Sequence, residues 1–298
     1  MDAFSLSGAP TILDGGLATE LEAHGHDLSD ALWSARLLVD APEEIVAAHA
    51  AFFRAGASVA TTVSYQASFE GFAQRGVERA EAARLMRRSV ELARLAGEVE
   101  PGRHRWVAAS IGPYGAMLAD GSEYRGRYGL TKRELRAFHR PRLEALAEAR
   151  PDVYALETVP DVDEAEALVD EVTALDLPAW LSFTISGVRT RAGQPLAEAF
   201  SLADTDAIMA VGVNCSAPED VLTAIEIARE VVEKPIVVYP NSGEDWDAQR
   251  HAWTGRSRLS AEQARSWRAA GAQLIGGCCR VGPADIAAVA DALTAPSD

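Results

Sequence analysis

Eight short β-rich runs alternate with amphipathic helical segments along this 298-residue chain, and that alternation most limits the folds open to it. The runs fall at 11–13, 58–63, 106–111, 153–156, 180–185, 208–213, 236–239 and 273–275. Apolar residues recur with a helical period at 42–55, 78–96, 132–149, 162–174, 218–232, 261–270 and 283–293, and more weakly at 196–203. Thr131 before Lys132-Arg133-Glu134 and Ser260 before Ala261-Glu262-Gln263 read as capping boxes. Pro42 and Pro283 suit first helical turns, while Gly56 and Gly271 suit helix stops that lead straight into strands. The pattern predicts an α/β fold, a parallel (β/α)8 TIM barrel, with a doubly wound open sheet as the alternative.

The placement of unusual residues favours the barrel. Asp14-Gly15-Gly16, Thr61-Thr62, Gly112-Pro113, Glu157-Thr158, Ser186-Gly187, Asn214-Cys215, Pro240-Asn241-Ser242 and Gly277-Cys278-Cys279 all follow the C-terminal ends of runs. In a barrel those ends share one rim, where active sites form. Two long connections, 114–130 and 241–259, carry glycine and aromatic residues (Tyr114, Tyr124, Tyr128; Trp246, Trp253) and are placed to cover that rim. No linker or compositional break divides residues 1–298, which read as a single domain.

A formal net charge of −16 argues against binding nucleic acid or an anionic membrane surface. No apolar run approaches the roughly 18 residues of a membrane helix, and the N-terminus lacks the basic and apolar segments of a secretory signal. An odd count of 3 cysteines suits a reducing compartment, so a cytoplasmic protein is expected. The lysines, Lys132 and Lys234, lie in or beside helical segments, which disfavours a Schiff-base barrel. His24, His26, His49, His104, His139 and His251 have no metal-ligand spacing and read as surface or packing residues. No heptad seam indicates an oligomeric state.

All three thiols, Cys215, Cys278 and Cys279, sit at predicted strand ends, and the last two follow Gly276-Gly277. Adjacent strand residues face opposite ways, so the chain must leave β geometry there for both to grip one ion. The glycine pair is expected to supply that backbone freedom and a close approach for a ligand. Three thiolates favour zinc and leave its fourth position open for substrate. Buried cysteines acting as small hydrophobes, or a vicinal disulfide, are the alternatives from the pattern alone.

Gly276-Gly277-Cys278-Cys279-Arg280 together with Gly212-Val213-Asn214-Cys215 resembles the zinc signature of the homocysteine S-methyltransferases. The likeness extends through Asp14-Gly15-Gly16-Leu17-Ala18-Thr19-Glu20, Leu32-Trp33-Ser34-Ala35 and Thr62-Val63-Ser64-Tyr65-Gln66-Ala67-Ser68. It continues through Gly112-Pro113-Tyr114-Gly115-Ala116, Ala119-Asp120-Gly121-Ser122-Glu123-Tyr124-Arg125-Gly126, Leu156-Glu157-Thr158 and Tyr239-Pro240-Asn241-Ser242-Gly243-Glu244. The Ser-Tyr-Gln-Ala and Tyr-Pro-Asn-Ser-Gly-Glu segments resemble the branch that uses S-methylmethionine or S-adenosylmethionine.

The resemblance implies methyl transfer from a sulfonium donor to L-homocysteine, giving methionine, with zinc as cofactor. Cys215, Cys278 and Cys279 would hold the zinc, which deprotonates a thiol whose free pKa is about 8.5. It also implies that Glu157 takes the homocysteine ammonium with Asp14 close by, and that the backbone amides of Gly15 and Thr62 hold the carboxylate. Trp33, Tyr114, Glu123 and Tyr124 would cage the sulfonium, with Gln66 shaping that pocket. Asn214 and Asn241 would orient ligands or a cysteine sulfur. Methylation of another thiol or of a selenol such as selenocysteine, and a non-catalytic structural zinc barrel, are the competing functions.

Overall fold

The computed structural model describes residues 4, 6, 8–28, 33–100, 104–247, 252–254, 257 and 259–294; within these, the side chains of 33–35, 245–247 and 252–254 are excluded. The side chains of Trp33, Trp246 and Trp253, and the whole of His251, therefore lie outside the described residues.

Eight parallel strands form the centre: β1 (Thr11–Ile12), β2 (Val59–Thr61), β3 (Trp106–Ile111), β4 (Val153–Val159), β5 (Ala179–Phe183), β6 (Ile208–Asn214), β7 (Ile236–Tyr239) and β8 (Ala272–Ile275). They pair in sequence order from β2 through β8, and β8 returns to β1. A parallel bridge between Leu13 and Val59, with Ser58 N donating to Ile12 O at 2.7 Å, closes the remaining seam. That closure decides for the barrel over an open sheet.

Period-2 alternation divides the core in two. Leu13, Val59, Ala108, Ala155, Ala210, Val237 and Leu274 point into the barrel, where small residues make room for the buried indole of Trp180. Outward-facing residues such as Val107, Ala109, Leu181 and Val211 meet the apolar stripes of the surrounding helices. Those helices start and stop as the local chemistry requires. Thr131 and Ser260 each form a capping box, and Gly56 (φ 102°) and Gly271 (φ 119°) adopt the left-handed conformation that a Cβ disfavours. The segment expected as one helix over 218–232 begins as a 3-10 turn, Pro218–Asp220, before Val221–Val231.

The rim carries elements that periodicity does not announce. Helices Leu17–Ala23, Trp33–Asp40, Phe69–Gln74 and Tyr114–Leu118, a 3-10 turn Ser122–Tyr124 and two short hairpins are inserted after strand ends. No helix among the described residues is long and apolar enough to cross a membrane.

Candidate metal and thiol-binding site

The end of β7 is a template for the cysteines. Cys215 N donates to Tyr239 O at 3.3 Å, Cys278 N to Pro240 O at 2.7 Å, and Cys279 N to the Asn241 side-chain oxygen Oδ1 at 3.2 Å. Three consecutive residues of one strand tail thus hold ligands delivered by its two neighbours, β6 and β8. Asn241 thus contacts the backbone amide of Cys279 and, among the described residues, forms no hydrogen bond to a sulfur.

The backbone freedom expected of Gly276 and Gly277 is not what they contribute, since neither has positive φ. Their role is space. A Cβ at Gly276 would lie 2.6 Å from Leu13 Cβ and 2.7 Å from Asp14 O, and one at Gly277 only 2.3 Å from Val281 Cγ1. The left-handed turns fall instead on Cys215 (φ 47°) and Arg280 (φ 65°), which bend the chain out of strand geometry and turn the sulfurs toward one another.

The three Sγ atoms lie within 4.8 Å of one another as free thiols. Cys215 and Cys279 are 3.7 Å apart, close to the roughly 3.8 Å edge of a tetrahedron with 2.3 Å zinc–sulfur bonds. Cys215 and Cys278, at 2.7 Å, are closer than that edge but well outside a disulfide's roughly 2.05 Å. Sulfur contacts with Cys215 and Cys279, reinforced by burial, push the Cys278 thiol well above its ordinary range. Sulfur contacts with Cys215 and Cys278 draw Cys279 well below it. One thiolate and retained protons can share so small a volume; three thiolates need a cation in place of those protons. Three soft donors, one buried and two half-buried, converging on one point fit zinc.

The thiols form one wall of a cavity of about 310 Å³ at the barrel's C-terminal rim. Asp14 and Glu157, both buried, line the same cavity. Asp14 accepts from Thr61 N at 2.7 Å and Thr61 Oγ1 at 2.9 Å, so it also ties β1 to β2 across the closing seam. Glu157 accepts from Ser110 Oγ and from the Tyr239 hydroxyl, which in turn accepts the Trp180 indole N–H at 2.9 Å. Burial pushes each carboxyl up to about 7, against hydrogen bonds that hold it down. The carboxylate assignment to Thr62 needs correction. Its amide already donates to Ala108 O at 2.9 Å in the barrel ladder, because β2 and β3 still pair at that level. Gly15 lines the same cavity, and its amide has no acceptor among the described residues.

Tyr65, Gln66, Glu123 and Tyr124 make the remaining wall. Gln66 Oε1 and Glu123 Oε2 are buried without a hydrogen-bond donor, and burial raises the Glu123 carboxyl. The Tyr124 hydroxyl donates to Cys215 Sγ at 3.6 Å. Tyr114 does not join this wall. Its ring packs against Tyr128 and Phe138, with centroids 5.3 and 4.9 Å away, because Tyr114 starts a helix whose N-terminal amide is held by Glu164. Asn214 grips Thr158 and no sulfur. Of the histidines, His49 and His139 are buried, and His139 pairs with Glu164 at 2.9 Å. Tyr65, Ser110, Thr158 and Tyr239 also line the cavity, although sequence reasoning assigned them no role. Tyr65, Thr158 and Tyr239 lie inside segments that carry the family resemblance, which was the available signal.

A parallel barrel that brings three thiols able to hold a metal ion and two buried carboxylates together at its C-terminal rim has the make-up of a TIM-barrel enzyme site. The homocysteine S-methyltransferase family model matches residues 11–293, and the chain belongs to that family. It is 47% identical to homocysteine S-methyltransferase of Escherichia coli K12, covering 93% of both chains. It is 46% identical to homocysteine S-methyltransferase 4 of Zea mays, covering 96% of this chain and 90% of the relative. Its fold superposes on the metallated form of the E. coli homocysteine methyltransferase MmuM with a TM-score of 0.87 at 44% identity, covering 95% of this chain and 96% of that one.

Proposed function

We propose that this chain, acting as one homocysteine-binding domain in the cytoplasm, moves a methyl group from a sulfonium donor to L-homocysteine, giving methionine. S-Methylmethionine is the first donor to consider and S-adenosylmethionine the second. The observation that carries this reading is the convergence of Cys215, Cys278 and Cys279 in one cavity with Glu157 and Asp14.

The cysteines are the residues to hold zinc, which when bound acidifies the homocysteine thiol so that its sulfur reacts as a thiolate. Glu157 and Asp14 receive the substrate ammonium, and a cation between them favours the ionised form of both carboxyls. The Gly15 amide donates to the substrate carboxylate. Tyr65 and Tyr124 offer aromatic faces to the sulfonium, while Gln66 Oε1 and Glu123 present unengaged oxygen.

Transfer is an in-line displacement with the reacting atoms about 3–3.5 Å apart. A carbon–sulfur bond forms to homocysteine as the donor's carbon–sulfur bond breaks, and that bonding pair stays on the departing thioether. The donor leaves neutral, so no side chain need supply a proton to it. The test is methionine formation by zinc-loaded, reduced protein from homocysteine with S-methylmethionine, S-adenosylmethionine or betaine. Turnover with a sulfonium and none with betaine is expected; silence with both sulfoniums would overturn the reading.

A further inference from the structure

Arg142, on the helix Lys132–Ala147, is among the largest fully buried side chains of the described protein. Among the described residues no carboxylate forms an ion pair with it, and burial pushes its guanidinium down to about 10. A charge held this way is costly unless polar groups replace its water. Three carbonyls do so: Nη1 donates to Gly112 O at 2.9 Å, and Nη2 donates to Tyr65 O at 2.8 Å and Ser64 O at 3.2 Å.

Those carbonyls belong to two rim segments, the turn after β2 and the exit of β3. Gly112 N donates back to Tyr65 O at 3.2 Å, so that oxygen is fixed from two sides. The Tyr65 ring lies hard against Gly112, where a Cβ would come within 2.6 Å of it. Tyr65 and its neighbour Gln66 then face the cavity beside Glu123 and Tyr124. Asp14 and Glu157 have further anchors of their own, Asp14 on Thr61 and Glu157 on Ser110 and Tyr239. The clamped segment reaches Glu157 only through Ser110, whose carbonyl accepts from Ser64 Oγ at 2.7 Å and whose amide donates to Thr62 Oγ1 at 3.0 Å.

We propose that Arg142 is a positioning residue for the methyl donor, clamping the Ser64, Tyr65 and Gly112 carbonyls so that the Tyr65–Gln66 wall stands where the sulfonium must lie. This rests on reading that wall as the donor's. The guanidinium fork suits the task because it spans both segments at once, whereas the single ammonium of lysine cannot reproduce that geometry.

Zinc-loaded wild-type protein is assayed first with S-methylmethionine and homocysteine. If no methionine forms with any sulfonium, the functional reading fails and the proposal falls with it. Given wild-type turnover, Arg142→Lys and Arg142→Met should raise the donor KM by about tenfold or more. The homocysteine KM should stay within about twofold and the zinc content per chain should be unchanged, since Arg142 contacts neither site. Gly112→Ala, which keeps the arginine but pushes on the Tyr65 ring and on the Tyr65 carbonyl that Arg142 holds, should give the same donor-selective defect and keeps the idea testable if the Arg142 variants do not fold. A merely structural arginine would move both KM values together, or neither. Either result, or an unchanged donor KM in Gly112→Ala, overturns the proposal.

Discussion

Asn214 clasps Thr158 by two hydrogen bonds, accepting Thr158 N at 2.7 Å and donating to Thr158 Oγ1 at 2.8 Å. The pair joins the ends of β4 and β6, where Glu157 precedes the left-handed Thr158 (φ 58°) and Cys215 is itself left-handed (φ 47°). Asn214→Ala leaves a buried amide N–H without its acceptor, an expected cost of about 1–3 kcal/mol in stability. Glu157 and Cys215 flank the pair in sequence, so homocysteine affinity and zinc retention should both fall. Denaturant unfolding and calorimetric titration check this; an unchanged midpoint would show that the clasp holds nothing in place.

Cys215→Ala should release the metal and abolish methyl transfer, because two vicinal sulfurs cannot complete a site built on three. Metal content per chain and methionine formation are the measurements. Full zinc occupancy with normal turnover would exclude Cys215 as a ligand.

The raised carboxyls make a pH prediction whose sign differs from that of an ordinary ion-paired carboxylate. Glu157 titrates near 7 in the ligand-free folded chain and near its ordinary 4.5 when unfolded. Between those values the folded chain keeps a proton that the unfolded chain has released, so this group's contribution to stability falls as pH rises and levels off above about 7. Glu157→Gln removes that contribution. Its stability relative to wild type should climb from pH 5 to pH 7 and then stay constant, while homocysteine binding is weakened throughout. A stability difference independent of pH in denaturation series would refute the assignment.

Gly277→Ala should act on the metal through packing. The new Cβ meets Val281 Cγ1 at 2.3 Å, and overpacking of this kind costs about 1–3 kcal/mol. The strain falls next to Cys278, so a chelator should strip zinc from this variant at lower concentration than from wild type. Equal chelator resistance would mean the loop yields without moving the thiols.

Much of the fold was legible in the sequence. Strands at 106–111 and 236–239 and helices at 162–174 and 261–270 have the bounds expected from period and caps. The rim helices escaped because segments such as Phe69–Gln74 and Tyr114–Leu118 are too short to show a helical period; they form where the finished barrel gives them a surface. The misplacement of Tyr114 and of the Thr62 amide has the same origin. Which way a ring points, and whether an N–H remains unengaged, depend on neighbours distant in sequence: Phe138 for the ring, Ala108 for the amide.

The chain alone determined its alternation of strand and helix and the kinds of donor atom at its strand ends, since both follow from side-chain chemistry and local period. Only the closed barrel decided that Cys215 would meet Cys278 across 63 residues of sequence, and that the tail of β7 would hold both. Closure is what aligns the eight strand ends on one rim. Burial there turns Asp14, Glu157 and Arg142 from ordinary charged residues into groups whose ionisation depends on what they touch.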